Sequence, residues 1–311
     1  MLKPEQTKLL SPQGISIPSW ARDLAPTVQH CREIELSTGV TASLTFYSGV
    51  DASLLVAALP NATKLTADNF HDSVATLACT VLEELSLCAH ANVARMWNFI
   101  PGIYDDIPGG MNRYELFNTG RFDGFCRWFG QTESFPTMLP AASAVGHDHD
   151  TLVIAAIGTT AVGTRIENPR QTPAFKYSKD HGDQPPCFAR AVLSDFGDGP
   201  RLVVSGTASI LGEDSMHRES LELQTEETLR NLECLAKCAP RTPHFSLGHT
   251  ESARIYYPFE SDQPWLQDTL KKRLPASAEI EFVPAWLCRP ELLVEIELTI
   301  RTSDPLDSDP M

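Results

Sequence analysis

Cationic residues are scarce in this sequence. It contains 25 Lys and Arg against 40 Asp and Glu, which gives a formal net charge of −15 and a pI near 5.0. Binding to nucleic acid or to an anionic membrane surface needs clusters of basic side chains. The deficit therefore excludes a general nucleic-acid-binding protein and a polybasic membrane-surface protein.

Long apolar runs are also lacking. The longest one, residues 152–163, is shorter than the roughly 18 residues that a membrane-spanning helix requires. The first 20 residues do not contain the apolar core of a secretory signal peptide. We therefore expect a cytoplasmic protein with no membrane partner.

Metal- and phosphate-binding spacings are missing as well. The eight cysteines form no Cys-x-x-Cys pair, so we expect free thiols and neither disulfides nor a structural zinc. Cys234 and Cys238 share one helix face, which predicts core packing. His147 and His149 lack further ligands nearby, which predicts an ordinary loop. Residues 158–163 lack the lysine of a phosphate-binding loop, so no metal, nucleotide or other cofactor is predicted.

The residues that are present form an alternation of strands and helices. A length of 311 residues with 42% hydrophobic and 21% charged residues suggests a globular protein of two domains. Periodicity in the second half predicts a hairpin turn at 195–200, a helix at 225–237, a strand at 252–258, a helix near 265–273 and a closing strand at 291–300. The Pro-rich start and the end, 303–311, are predicted to be loose tails.

The first half follows the same order. It shows strand-like runs, a helix at 69–88, a strand at 93–101, a candidate helix at 121–130 and a closing strand at 152–158. Ala94 to Trp97 aligns with Ala253 to Tyr256, and the pair Pro140-Ala141 aligns with Pro284-Ala285. We therefore predict an α+β fold with helices packed on mixed sheets. It is an internal duplication of residues 1–164 and 165–311.

The two closing strands differ in their carboxylates. Apolar residues alternate from Val294 to Ile300, so Glu295 and Glu297 share the opposite face. The corresponding first-half residues, 152–155, contain no carboxylate. This asymmetry predicts one working site, in the second half, although the alternation also fits a solvated outer face.

The second half resembles the Rid (reactive intermediate deaminase) family. The matching features are Val204-Ser205-Gly206 after a hairpin, Gln224-Thr225 at a helix start, and Val294 to Glu297 in the last strand. Rid deaminases carry Pro-Ala-Arg before that strand, and the arginine holds the substrate carboxylate. Here the place reads Pro284-Ala285-Trp286, which argues against imine or enamine hydrolysis.

The whole chain resembles the chorismatases more specifically. This family has a Rid-like catalytic half and acts on chorismate. Six stretches carry the resemblance in order, and they are residues 95–104, 112–121, 139–146, 188–191, 205–210 and 288–297.

The resemblance implies that Glu295 is the general acid that protonates the enolpyruvyl group of chorismate. Apolar neighbours can keep such a carboxyl protonated near neutral pH. Cys288 is similar to the cysteine of the 3-hydroxybenzoate-forming type, where the thiol assists aromatisation, but it also fits a buried core thiol.

The predicted activity is therefore conversion of chorismate to 3-hydroxybenzoate and pyruvate. Three alternatives stay open. They are hydrolysis to a dihydroxycyclohexadiene carboxylate, formation of 4-hydroxybenzoate, and a noncatalytic Rid-like metabolite-binding protein.

Two carboxylates of the substrate need cationic and hydroxyl partners. The candidate substrate-binding residues are Arg113, Tyr114, Arg121, Tyr177, Arg190, Gly206 and Thr207. The polar segment 167–184 is either a lid that carries Tyr177 or an inert linker. Rid proteins build sites between the subunits of trimers, so a fused double copy is expected to be a monomer that imitates part of such an assembly.

Overall fold

The structure, a computed structural model, describes residues 16–108, 111–240 and 245–301. The N-terminal residues 1–15 and the predicted C-terminal tail lie outside the described residues.

The first half contains a six-stranded sheet and its helices. Its elements are α1 (Ser19–Leu24), β1 (Thr27–Glu35), β2 (Thr41–Ser48), β3 (Ala52–Leu59), α2 (Ala67–Ser86), β4 (Asn92–Pro101), β5 (Asp106–Ile107), β6 (Met111–Asn112), α3 (Arg113–Phe129), α4 (Phe135–Met138), β7 (Ala141–His147) and β8 (Leu152–Thr159).

The second half is built around another sheet. Its elements are β9 (Thr164–Ile166), β10 (Ala191–Asp195), β11 (Pro200–Val204), β12 (Thr207–Ala208), β13 (Ile210–Leu211), β14 (Asp214–Ser215), α5 (Leu221–Lys237), β15 (Thr250–Tyr257), α6 (Gln263–Arg273), β16 (Glu279–Pro284) and β17 (Glu295–Arg301).

Both sheets have the same strand order. The first reads β2-β3-β8-β4-β7 and the second reads β10-β11-β17-β15-β16, with β1 and β9 added at corresponding edges. In each sheet the main neighbours are antiparallel except the last pair, β4 with β7 and β15 with β16, which is parallel. The predicted α+β fold, with two similar halves and helices on mixed sheets, is confirmed. The domain boundary at residue 164 stays a prediction.

The register identifies equivalent residues in the two halves. Arg95 lies opposite Ile157, and Arg254 lies opposite Glu297, so with Ala94 to Trp97 aligned on Ala253 to Tyr256 the register matches Ile157 with Glu297.

The alignment of the two Pro-Ala pairs is wrong. Arg95 also lies opposite Ala141, at the start of β7, whereas Arg254 lies opposite Glu281, and Pro284 comes only at the end of β16. In register Ala141 corresponds to Glu281 and not to Ala285, so the dipeptide match is displaced by four positions.

The helix starts are set by capping groups. The predicted helix at 121–130 begins earlier, at Arg113, because Asn112 and Glu115 form a capping box. The Glu115 backbone N–H donates to Asn112 Oδ1 at 2.9 Å, and the Asn112 backbone N–H donates to Glu115 Oε2 at 2.9 Å. Such reciprocal bonds satisfy N–H groups that the helix itself leaves unpaired.

The core lies on both faces of the two sheets. The helices α2 and α3 cover one face of the first sheet, α5 and α6 cover one face of the second, and the remaining faces pack on each other around Trp97 and Tyr256. The apolar residues of the closing strand belong to the helix-facing core. Glu295 and Glu297 are only 4% and 5% exposed on the opposite face, so the alternative of a solvated outer face is wrong.

Close contact between α2 and α3 depends on a glycine. A Cβ at Gly124 would lie 2.5 Å from the carbonyl oxygen of Ala75. We expect Gly124→Ala to lower the free energy of unfolding by roughly 1 to 3 kcal/mol, because overpacking outweighs the higher helix propensity of alanine. Urea unfolding measures the change. The exposed Glu83→Ala on α2 is the control, expected within about 0.5 kcal/mol of wild type. A Gly124→Ala protein as stable as wild type would contradict this packing account.

Candidate active site

A cavity lies where the two halves meet. The first half contributes residues of α3 and β7, and the second half contributes the segment after β11, the segment before β17 and part of the insert that precedes β10. The lining residues are Tyr114, Arg121, Ala142, Ser143, Ala144, Tyr177, His181, Pro186, Phe188, Arg190, Gly206, Ala208, Ile210, Cys288, Arg289, Leu292 and Glu295.

Glu295 is the buried acid of this cavity. It begins β17, where its backbone lies between Tyr256 on one side and Ala208 on the other. Burial, followed by the nearby negative charge of Glu297, raises the pKa of Glu295 to about 8, against the lowering effects of Arg95 and Arg190. The carboxyl group is therefore mostly protonated at neutral pH and can donate a proton.

Gly206 makes room for this carboxyl group. A Cβ at position 206 would lie 1.9 Å from Glu295 Oε1, so the backbone itself forms that part of the wall. The backbone N–H of Gly206 donates to Ser143 Oγ at 3.0 Å. The contact ties the wall beside Glu295 to a strand of the first half.

Glu297 lies two residues further along the strand and has its own set of donors. Trp97 Nε1 donates to Glu297 Oε1 at 3.0 Å, and Ser143 Oγ donates to Oε2 at 2.7 Å. Tyr256 donates to Oε2 at 3.3 Å, and Arg95 forms an ion pair with the same oxygen. Unlike Glu295, this carboxylate is compensated by a cation and by neutral donors.

Cys288 lines the cavity on the segment before β17. Burial, followed by the negative charge of Glu295, raises the pKa of the Cys288 thiol to about 12. The segment is fixed to the first half, because the Tyr104 hydroxyl donates to the Leu287 carbonyl at 2.6 Å and Trp286 exchanges backbone hydrogen bonds with Gly146. Cys288 therefore presents a protonated thiol and not a thiolate.

Two buried arginines line the cavity and form no ion pair with a carboxylate of the described residues. Arg121 and Arg190 are 2% and 4% exposed, and no carboxylate among the described residues lies within ion-pairing distance of either. Each has an Nε with no hydrogen-bond acceptor. Uncompensated buried charge is destabilising, so these guanidinium groups favour an anionic ligand.

Their remaining bonds orient these arginines. Arg121 Nη2 donates to Asn118 Oδ1 at 3.1 Å. Arg190 Nη2 donates to the Tyr177 hydroxyl at 2.7 Å and to the Thr172 carbonyl at 2.9 Å. Tyr177 thus reaches the cavity from the insert, and it holds a guanidinium group in place.

Two predicted substrate-binding residues do not line the cavity. Arg113 donates to the carbonyl of Ala62 at 3.3 Å and pairs with Asp105 at 3.4 Å. It directly precedes Tyr114 on α3, and consecutive helical residues point about 100° apart. Tyr114 and Arg121, seven residues apart, share the face that meets the cavity.

Thr207 is the second candidate that lies outside the lining. Its hydroxyl donates to the Ser205 carbonyl at 3.0 Å, and the residue is buried in β12. Since strand residues alternate between faces, the neighbours Gly206 and Ala208 line the cavity and Thr207 does not.

Three polar residues of the wall, Ser143, Arg289 and His181, were missed in the sequence. Arg289 follows Cys288 and donates to the Glu213 carbonyl at 2.8 Å and to Ser215 Oγ at 3.0 Å. Its position inside the matching stretch 288–297 was the available signal. His181 lies in the insert, with its ring 5.4 Å from that of Tyr177, and no sequence pattern marks it. The insert therefore forms part of the wall.

The weaker sequence signals have ordinary structural roles. Asp148, between the two histidines of the loop, accepts a hydrogen bond from Trp286 Nε1 at 2.8 Å. The predicted core packing of Cys234 and Cys238 is wrong for Cys238, which is exposed. Within the described residues there is no group of three or more metal-ligating side chains, and no helix is long and apolar enough to cross a membrane.

The raised pKa of Glu295 makes stability depend on pH. The folded-state pKa of about 8 exceeds the ordinary value of 4.5. The stability linked to this proton is therefore complete below about pH 4.5 and is lost as the pH rises towards 8. Between pH 4.5 and pH 8, we expect the unfolding free energy of Glu295→Gln to rise relative to that of wild type by about 1.4 kcal/mol for each pH unit.

Urea unfolding at pH 5 and pH 8 measures this gain. Glu227→Gln removes another carboxylate that is 5% exposed but is paired with Arg170, and its difference from wild type should not follow the trend. A Glu295→Gln difference that is equal at both pH values would contradict the buried, protonated state.

Comparisons with known proteins identify the family. Residues 32–158 match the model of the N-terminal domain of FkbO/Hyg5-like chorismatases. A 3-hydroxybenzoate synthase of Streptomyces hygroscopicus is 33% identical over 70% of this chain and 66% of that protein. A chorismatase of the same organism is 28% identical over 73% of this chain and 67% of that protein.

The fold agrees with these matches. A crystal structure of a chorismatase superimposes with a TM-score of 0.73 and 25% identity, and it covers 83% of this chain and 77% of that one. The chain spans about two thirds of the length of the curated relatives that it matches. With its six ordered stretches, its duplicated fold and these relatives, the chain belongs to the chorismatase family.

Proposed function

We propose that this protein converts chorismate to 3-hydroxybenzoate and pyruvate. The observation that carries the proposal is a buried carboxyl group with a raised pKa, Glu295, in one cavity with two arginines that form no ion pair. The relative named 3-hydroxybenzoate synthase, 33% identical to this chain, and the thiol of Cys288 in the cavity wall favour this product.

The wall matches the chemistry of chorismate. The substrate has two carboxylates, and guanidinium groups such as those of Arg121 and Arg190 bind carboxylates through paired, charge-assisted hydrogen bonds. The apolar side chains of Phe188 and Leu292 line the same space and suit a cyclohexadiene ring. The cavity thus offers cationic groups for the anionic ends and apolar surface for the ring.

Glu295 supplies the proton for the first step. The proton goes to the terminal methylene carbon of the enolpyruvyl group, which becomes a methyl group, and positive charge develops at the ether carbon. The bond between the ring and the ether oxygen then breaks, and its electron pair stays with the oxygen as the ketone of pyruvate. A pKa of about 8 keeps the acid loaded at neutral pH and still allows transfer.

Aromatisation follows within the ring. The neighbouring ring hydroxyl attacks the carbon that loses pyruvate, gives its proton to the Glu295 carboxylate, and forms an arene oxide. Opening of this epoxide moves one proton from ring carbon to oxygen. No water is consumed, since the two products together have the composition of chorismate. The protonated thiol of Cys288 assists by donating to the epoxide oxygen.

Water in the cavity would change the product. Attack by water in place of the ring hydroxyl gives the dihydroxycyclohexadiene carboxylate, and a different epoxide opening gives 4-hydroxybenzoate. A monomeric state and a cytoplasmic location remain parts of the proposal.

The acid role predicts the effect of Glu295→Gln. Wild type incubated with chorismate should release pyruvate and one aromatic acid without added metal or nucleotide. Glu295→Gln should lose roughly 100-fold or more of the rate, because the amide keeps the shape and cannot donate the proton. Pyruvate release and chromatography of the acids measure both. Glu227→Gln is the matched control, expected within about twofold of wild type.

Two results would contradict the proposal. Intact chorismate after incubation with wild type would favour a noncatalytic binding protein, and normal turnover by Glu295→Gln would show that another group is the acid.

The thiol role predicts a change of product in Cys288→Ala. This variant should still release pyruvate, within about tenfold of wild type, because Glu295 is intact. The aromatic fraction of the product should fall. Cys187→Ala removes a buried thiol outside the cavity lining and should leave that fraction unchanged. An unchanged aromatic fraction in Cys288→Ala would assign this cysteine to packing alone.

A further inference from the structure

Glu297 lies beside the proposed acid and has no part in the proposed chemistry. It does not line the cavity that holds Glu295. We infer that Glu297 is a positioning residue, held as a carboxylate chiefly by side chains of the first half, which keeps Glu295 in its proton-bearing form. The role of Glu295 as a general acid rests on the proposed function, but the coupling between the two carboxyl groups does not.

The first half supplies most of the donors to Glu297. Arg95 and Trp97 lie on β4, and Ser143 lies on β7. Ser143 Oγ has three partners, because it donates to Glu297 at 2.7 Å and accepts from Arg95 and from the Gly206 N–H. A carboxylate with a cation and several donors is held in its ionised form.

The duplication shows how the two halves divide this role. The first-half residues that match Glu295 and Glu297 in register are Ala155 and Ile157, so the predicted correspondence with residues 152–155 is shifted by two positions, and neither residue has a carboxyl group. The second-half arginine that matches Arg95 is Arg254, and its Nε lies 3.2 Å from Glu281. The closing strand of the first half therefore has no carboxyl group at these two positions, and Arg95 pairs with the carboxylate of the second half.

The charged groups around the pair determine the sign of the effect. Arg95, Arg254 and Tyr256 surround Glu297, and Arg190 and Cys288 lie on the cavity side near Glu295. After burial, Glu297 is the largest cause of the raised pKa of Glu295, and Arg95 and Arg190 oppose it. Removal of the Glu297 charge leaves both arginines, so Glu295 should lose its proton more readily.

Infrared spectroscopy can follow the Glu295 proton directly. The carbonyl band of the protonated carboxyl group is assigned by its absence in Glu295→Gln and is titrated with pH. In wild type the midpoint should lie near 8. In Glu297→Gln it should fall by about one pH unit or more. In Glu227→Gln, where an equally buried and paired carboxylate is removed, it should not move.

A second variant covers the case in which Glu297→Gln does not fold. Loss of Glu297 alone leaves Arg95 as an uncompensated buried charge, which is strongly destabilising. The double variant Arg95→Gln with Glu297→Gln removes both charges. Its midpoint should also fall, by less than in Glu297→Gln, because Glu297 affects Glu295 more strongly than Arg95 does. Tyr256→Phe keeps the charge and should leave the midpoint near that of wild type.

Pyruvate release against pH is the second readout. The rate should fall above the pKa of Glu295, and in Glu297→Gln this fall should begin at a lower pH. At high pH the variant should lose about tenfold of the rate for each pH unit by which its midpoint lies below that of wild type. A folded Glu297→Gln protein with an unchanged carboxyl band and rate profile would overturn the inference. A carboxyl band that titrates at lower pH, in a protein that leaves chorismate intact, would overturn the proposed function and retain the inference.

Discussion

Two carboxyl groups of one strand are buried between two sheets. The site depends on how each of them avoids the free-energy cost of a buried, unpaired charge. A buried carboxylate is unfavourable unless it is paired or keeps its proton. Glu297 is paired with Arg95 and is hydrogen bonded by Trp97 and Ser143. Glu295 has no such set of donors and keeps its proton instead. One strand face thus presents one carboxyl group that is paired and one that keeps its proton.

This arrangement gives each half a distinct part of the site. The second half carries Glu295 and Cys288, whereas the first half contributes Arg121 and most of the donors to Glu297. The positive charge of the cavity is local, because the whole chain carries −15. Acidic surroundings also favour an uncharged Glu295 and the departure of anionic products.

Much of this fold could be predicted from the sequence because it depends on periodicity. The alternation from Val294 to Ile300 identified the shared face of Glu295 and Glu297, and the matching order of elements identified the duplication. Seven of the nine candidate site residues line the cavity. Arg113 and Thr207 do not line the cavity, because a motif does not show which side of a helix or strand faces the site.

Other features depend on contacts between residues that are far apart in the sequence. The bonds of Glu297 to Arg95 and Trp97 cross about two hundred positions of the chain, and no local pattern reports them. His181 reaches the cavity from an irregular insert, where neither helical nor strand periodicity applies. The Pro-Ala pairs misled the alignment since register is set by strand pairing and not by a dipeptide.

The structure of Glu295→Gln with chorismate bound would show whether Glu295 is placed to deliver the proton. We expect the substrate in the cavity between the two halves, with its carboxylates on Arg121 and Arg190. The enolpyruvyl methylene carbon should lie within about 3.5 Å of the side chain at position 295, the distance expected of reacting groups. Chorismate bound elsewhere, or bound in this cavity with its methylene turned away from position 295, would contradict the account.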